Sequence, residues 1–388
     1  MPVLWLLVAA QTLALAVVMA RLAPGRRRQP PVPPVPDDQS PTATVTIMVA
    51  TLNEAARIGP CLTGLAAQGR LVREVLVVDS RSTDGTRELV EEAARQDPRI
   101  RLLTDPPLPS DWVGKVWALQ HGLAEATGDW VLGLDADITP DPGLAAAVVT
   151  AALAHRFDVV SFSPRFLLST VAESWLQPAL LVTLVYRCGA AGEGTPDPER
   201  VLANGQCFLA RRDVLLAHGG YAAAQRSFAD DVTLARHLAR RGVRVGFLDG
   251  SSLYRVRSYS SMREAWREWG RSLDLKDATT PLRQWTDVGI LALAQALPLP
   301  ALLLLLVVGR DVVGASYPAL LVVNGVLLAI RLLLLGALTQ SYERPGLAYW
   351  LSPLADGLAT TRIVLSTIRR RRTWRGRTYR IAPTVPGA

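Results

Sequence analysis

The feature that most restricts what this chain can fold into is an alternation in its first half. Strand-like apolar runs, TVTIMVAT (44–51), EVLVVDS (74–80), RIRLLTD (99–105), DWVLGLDAD (129–137) and DVVSFSPRF (158–166), are separated by stretches such as TDGTRELVEEAARQ and GKVWALQHGLAEA, whose apolar positions recur at helical spacing. That pattern predicts an α/β fold, a Rossmann-like, mostly parallel sheet with helices on both faces. Near-continuous Val, Ile and Leu in the runs agree with burial on both sides of the sheet. In open sheets of this kind ligands bind beyond the carboxyl ends of the strands, so the residues that close each run are the first candidates for chemistry.

Acidic residues close several of them. Asn53-Glu54 follow the first run, Asp79 ends the second, and Asp135-Ala136-Asp137 end the fourth. A single carboxylate there would be read as a helix cap or loop start. Two carboxylates at i and i+2 can point around one strand edge and hold a divalent cation (Mg2+ or Mn2+) through hard oxygens, leaving positions open for substrate phosphates. No G-x-G-x-x-G follows a strand, and Gly114-Lys115 lacks the upstream glycine of a P-loop. Lys115 is one of only two lysines beside 40 arginines, which singles out an ammonium at that position or a chance surface lysine. Asp230 and Asp231 precede a helix with one apolar face. A cap needs one of them, and the other is available as a general base. Trp266, Arg267 and Arg271 in REAWREWGRS are open to two readings, interface anchoring and substrate binding.

The apolar segments lie at the two ends. Residues 3–20 carry no charge and are followed by Arg21 and by Arg26, Arg27 and Arg28, which predicts an anchor (1–23) with its carboxyl end in the cytoplasm. Seven prolines in 24–41 predict a stiff extended spacer, with the folded body beginning near Thr42. A cytoplasmic catalytic domain (42–275) is followed by a transmembrane hairpin (286–340), its arms Val288 to Val308 and Val312 to Ile330 joined at Gly309-Arg310-Asp311. Arg331 is expected to snorkel toward the cytoplasm. The last part (345–388) is read as an interfacial helix over Leu347 to Ile368 plus a basic tail, because a full span would put Asp356 near mid-membrane at a cost of about 3 kcal/mol. An inner (plasma) membrane protein of three spans results.

Composition narrows the partners. The formal charge is +8, but three arginines at 26–28 and seven between 369 and 380 account for ten positive charges, leaving −2 for the rest. A slightly acidic body has no general field for nucleic acid, which is excluded as a partner, whereas basic clusters beside apolar runs suit a lipid bilayer. Cys61, Cys188 and Cys207 form no C-x-x-C, and the four histidines are scattered, so no thiolate or zinc site is expected.

Taken together, VATLNEAARI, VVDSRSTDGT, GLDAD and FADD resemble, in order, the motifs of family 2 glycosyltransferases of the GT-A fold. The resemblance spans residues 44–275 and is nearest to membrane members acting on lipids, such as ceramide glucosyltransferases and hopanoid- or carotenoid-associated bacterial enzymes. It implies that Thr51, Glu54 and Asp79 contact a nucleotide-sugar donor, that Asp135 and Asp137 hold diphosphate and metal, that Lys115 lies near the donor, and that Asp231 is the base. Asp79-Ser80 stands where the family often has Asp-Asp, and REAWREWGRS replaces the Q-x-x-R-W of polymerising members, which implies single-sugar transfer to a membrane lipid acceptor. The other readings are a nucleotidyltransferase that makes a sugar nucleotide and a non-catalytic nucleotide-sugar binding protein.

Overall fold

The computed structural model describes residues 2–189, 191, 197–257, 259, 261–368, 373–374 and 377–378. The chain divides into two compact units, a sheet unit (29–166 and 197–257) and a helical unit (2–28, 167–189 and 261–368). The seven-arginine tail lies outside the described residues except for the backbone of a two-residue pairing, Thr373–Trp374 with Arg377–Thr378.

The sheet unit is built on β1 (Val45–Thr51), β2 (Val72–Asp79), β3 (Ile100–Thr104), β4 (Trp130–Asp135), β5 (Ile138–Pro140), β6 (Val159–Ser163), β7 (Arg165–Leu167), β8 (Cys207–Arg211), β9 (Val245–Asp249) and β10 (Tyr254–Arg257). Seven strands form one sheet in the order β3-β2-β1-β4-β8-β6-β9, and β5-β10-β7 form a second. β1 runs parallel to β2 and β4, as do β2 to β3 and β6 to β9. β8 is antiparallel to β4 and β6, so the sheet is mixed rather than a plain parallel series. The sequence hides this because strand direction leaves no trace in a five-residue apolar run such as CFLAR.

Strand alternation supplies both faces. Ile47 and Val49 of β1 pack with Ile58, Leu62 and Leu65 of the Ile58–Ala66 helix and with the Leu144–Ala154 helix, whereas Met48 faces Val116, Leu119 and Leu123 of the Gly114–Glu125 helix. Helices therefore cover both sides, as the continuous apolar strands require. The proline-rich segment is not a free spacer. Val32 is buried in this core and donates its N–H to the Asp249 carbonyl at 2.8 Å, and the Asp37 carboxylate accepts the Arg70 N–H at 2.8 Å. Two valines in the stretch, Val32 and Val35, give it an apolar edge to lay on the body, which therefore starts near Gln29 and not Thr42.

In the helical unit, Pro2–Arg26 and Pro298–Ser341 are long and apolar enough to cross a membrane by length and composition. The expected hairpin is displaced. Val288 to Val308 is not one helix but the end of Pro281–Leu291, a π turn at Ala292–Ala296, and the start of Pro298–Val313. Gly309, at φ 76°, interrupts that last helix, and the turn into Tyr317–Leu338 comes at Gly314–Ser316. Val171–Cys188, a helix the sequence reading did not isolate, belongs to the same unit.

Arg331 does not snorkel. It is 1% exposed, and its Nε lies 3.0 and 2.9 Å from the two carboxylate oxygens of Asp356, with Gln295 Nε2 donating to Asp356 Oδ1 at 2.9 Å and Arg331 Nη2 to Ser352 Oγ at 3.1 Å. The pair also removes the reason for a single interfacial helix. Residues 347–368 break into Leu347–Trp350, a tight turn at Ser352–Ala355, and Asp356–Ile368, which buries Asp356, Thr360, Arg362 and Ser366. Removing one partner of a buried pair strands the other charge, so Asp356→Ala is expected to cost about 3–5 kcal/mol. The measurement is the thermal midpoint of the detergent-solubilised protein, and an unchanged midpoint would mean that the pair contributes nothing.

Candidate active site

β1 lies between β2 and β4, with Thr51 opposite Asp79 on one side and Ala50 opposite Asp135 on the other. The carboxyl end of one central strand is thus flanked by an acidic strand end on each side, at the place where an open sheet takes its ligand.

On the β2 side the carboxylate organises loops. Asp79 is fully buried; Oδ1 accepts the hydroxyls of Thr51 (3.1 Å) and Ser82, and Oδ2 accepts the Ser82 N–H and an Arg87 N–H, each at 3.0 Å. Glu54 donates its backbone N–H to Thr86 Oγ1 at 2.9 Å, and Asn53 Oδ1 accepts the Thr83 N–H at 2.9 Å, which ties the loop after β1 to the loop after β2. Asn53 (φ 57°) and Arg81 (φ 63°) both hold left-handed conformations there, a strain that non-glycine residues keep only where the surroundings enforce it. The resemblance implies direct nucleotide contact by Asp79. The structure instead engages both its oxygens within the chain, so Asp79 shapes the loops that a ligand would meet.

On the β4 side two acidic motifs converge. Lys115, in the first turn of its helix, places Nζ 2.6 Å from Asp135 Oδ1. Asp231, in the first turn of the Asp230–Ala239 helix, accepts the Gly205 N–H on Oδ2 at 2.6 Å and the Val232 N–H on Oδ1 at 2.8 Å. Lys115, Gly133, Gly205, Tyr221, Asp230 and Asp231 bound one small cavity. Removal from water, with Asp230 adding to it, pushes the Asp231 carboxyl up to about 6, against the opposing pull of Lys115 and the two N–H groups. Burial alone would push the Lys115 ammonium down, but Asp135, Asp230 and Asp231 together raise it, so the cation is held. A carboxylate titrating near neutrality in a cavity is placed to accept a proton from a hydroxyl.

Asp137 follows on the turn from β4 into β5, partly exposed like Asp135. Among the described residues no three His, Cys, Asp or Glu side chains converge as a closed metal cage. Two hard carboxylates on one strand end fit a divalent ion of the Mg2+ or Mn2+ type, which completes its shell with water and ligand phosphates and needs no cage.

The structure thus brings Lys115, Asp135, Asp230 and Asp231 together, with Thr51, Glu54 and Asp79 along the neighbouring strand ends. Trp266, Arg267 and Arg271 belong to the helical unit. There the Trp266 carbonyl accepts an Arg362 N–H at 2.9 Å and its ring lies 5.4 Å from that guanidinium, while Arg267 and Arg271 both pair with Glu268.

Gly205 and Tyr221 were not singled out in the sequence, although the Asn204-Gly205 dipeptide is a turn signal. A side-chain carbon on Gly205 would lie 3.1 Å from Lys115 Nζ and 3.5 Å from Asp231 Oδ2. Gly205→Ala is therefore expected to lower turnover about 10–100-fold by displacing the Lys115 ammonium, with little change in thermal midpoint. Wild-type turnover in that variant would show that the approach is not needed.

Residues 46–219 match the family model of glycosyl transferase family 2. That stretch is similar to a family 2 glycosyltransferase domain. Its GT-A architecture is shared with a mannosyltransferase from Pyrobaculum calidifontis, solved in complex with GDP-Man and Mn2+, at 22% identity and a TM-score of 0.53 over 92% of this chain and 98% of that one. The succinoglycan biosynthesis protein ExoA of Rhizobium meliloti (strain 1021) is 28% identical over 229 residues, 56% of this chain and 64% of that protein. The probable glycosyltransferase YdaM of Bacillus subtilis (strain 168) is 24% identical over 199 residues, 51% of this chain and 45% of that one. The chain thus spans less than two thirds of these curated relatives. The family 2 match takes in β1 to β8 with Lys115, Asp135 and Asp137, and ends before Asp230 and Asp231.

Proposed function

We propose that this protein transfers a single sugar, with inversion, from a nucleotide-sugar donor to the hydroxyl of a membrane lipid of hopanoid, carotenoid, sphingolipid, glycerolipid or polyprenyl type. The observation that carries the reading is the convergence of Asp135 and Asp231 on Lys115 at the edge of one cavity, with the Asp231 carboxyl pushed up to about 6. Asp231 accepts the proton of the acceptor hydroxyl as that oxygen attacks the anomeric carbon, and the Gly205 and Val232 N–H groups hold the carboxylate in place meanwhile. Asp135 and Asp137 would hold a divalent ion, which when bound supplies Lewis-acid stabilisation of the departing nucleoside diphosphate. Lys115 adds a positive charge at the same end. Thr51, Glu54 and the loops set by Asp79 face the nucleotide end of the donor.

A lipid acceptor is supported by the two stretches long and apolar enough to cross a bilayer. Arginines at 26–28 immediately after the first of them favour an inner-membrane protein with the sheet unit in the cytoplasm. The solved mannosyltransferase complex with GDP-Man and Mn2+ is the precedent for a donor and ion of this class on the same architecture.

The test is a comparison of total lipids, by mass spectrometry, from cells with and without the protein, joined to identification of the released nucleotide. A lipid heavier by one hexose or related unit, with release of nucleoside diphosphate, is expected. Release of pyrophosphate would assign the site to nucleotidyl transfer, and donor binding without turnover on native lipid extract would sink the enzymatic reading.

A further inference from the structure

Lys115 is placed unlike an ordinary surface cation. Its side chain is 18% exposed, its ammonium lies 2.6 Å from Asp135 Oδ1, and Asp230 and Asp231 also draw on it. The space around it is tight, since any side-chain carbon at position 205 would come within 3.1 Å of Nζ. The chain uses lysine here although it has 40 arginines and one other lysine. A compact ammonium on a flexible stem can pass from one oxygen acceptor to another, which a planar guanidinium fork does less readily.

Asp135 is also one of the two carboxylates that would hold a divalent ion, and no third acidic, His or Cys ligand among the described residues joins them. A divalent cation arriving alone would meet a carboxylate already neutralised, with a positive charge beside it that repels it. A nucleoside diphosphate changes the balance, because its anionic oxygens can take the ammonium while the carboxylate takes the ion. The geometry points to Lys115 as the resident counter-ion of the donor site: it guards Asp135 against a bare divalent cation and releases it only when a diphosphate arrives to accept the ammonium, so that metal and nucleotide bind as a coupled pair. The second half of this inference rests on the nucleotide-sugar reading; the first half, competition between Lys115 and the ion for Asp135, does not.

The experiment is Mn2+ titration of full-length, detergent-solubilised protein, followed by the EPR signal of free Mn2+, without nucleotide and with ADP, CDP, GDP or UDP added singly. Lys115→Met is expected to bind Mn2+ without nucleotide about tenfold more tightly than wild type, whereas Lys115→Arg, which keeps the charge, does not. In wild type the matching nucleotide should tighten Mn2+ binding by about tenfold or more, and in Lys115→Met by less than about threefold. Lys115→Gln serves as the second uncharged variant if Lys115→Met fails to fold. Equal nucleotide-free Mn2+ affinity in wild type and the uncharged variants, or no binding in any of them, overturns the inference, as does a nucleotide effect that is present and of equal size in both. If the uncharged variants bind Mn2+ more tightly but none of the four nucleotides affects wild type, the guarding role stands and the nucleotide-sugar reading falls.

Discussion

Asp231→Asn is expected to lower kcat by about 10³-fold while leaving donor affinity within a few-fold, because general-base assistance is worth about 10²–10⁴. The substitution keeps the shape of the side chain, and its Oδ1 can still accept one of the two N–H bonds from Gly205 and Val232, so the fold persists. Two further readouts separate a base from a structural residue. In wild type, kcat/KM should fall about tenfold for each pH unit below the carboxyl's value of about 6, since only the ionised form accepts a proton, and that acidic limb should be missing from the residual activity of the variant. The second readout is stability. Folding raises this carboxyl from an ordinary 3.8 to about 6, so the folded state holds the proton more tightly. The resulting stabilisation is full below the unfolded value and is lost as pH rises through about 6. At neutral pH the ionised Asp231 is therefore a liability. Asp231→Asn removes that charge but turns an amide NH2 toward one of the two N–H groups, at a cost of about 1–3 kcal/mol, so the thermal midpoint should stay close to that of wild type. Loss of activity without loss of stability is the signature of a group kept for chemistry. Retention of wild-type kcat would remove Asp231 from the mechanism.

If Asp137 holds a divalent ion as proposed, Asp137→Ala should cost a comparable amount, about 10³-fold in kcat, because Lewis-acid stabilisation of a departing diphosphate is worth several kcal/mol. The deficit should grow as Mn2+ is lowered, with the metal concentration giving half-maximal rate shifted upward. Asp135→Asn is a contrasting case. It removes the partner of the Lys115 ammonium as well as a candidate metal ligand, so both donor binding and metal dependence should change. Assays with both Mn2+ and donor graded distinguish the two, and an Asp137→Ala enzyme with wild-type turnover and metal dependence would discard the metal role.

Most of the sheet and the acidic strand ends were legible from local pattern. Runs such as TVTIMVAT and DWVLGLDAD announce buried strands, and they became β1 and β4. Asp135 and Asp137 fall at the carboxyl end because that is where the run stops. The helical segments were less legible. Apolar content predicted that residues 288–330 would be embedded, but a run of Leu and Val contains no signal for the π turn at Ala292–Ala296 or for a turn at Gly314 instead of Gly309. Arg331 was read by itself as a cation in search of water, since its partner Asp356 is 25 residues away and only packing brings the two together.

The sequence alone determined the fold class, the two acidic motifs and the apolar segments, because hydrophobic period and strand length act over a few residues and are written in the order of side chains. Only the tertiary structure decided which carboxylates act together. Asp135 and Asp231 share Lys115 because β4 sits beside β1 in the sheet order and the Gly205 turn brings the second motif in from beyond β8. The same folding engages Asp79 with Thr51, Ser82 and Arg87, giving an acidic strand end of similar appearance a structural task. A side chain's chemistry depends on its neighbours' charge and on its distance from water, and neither exists until the strands are ordered and the loops are closed.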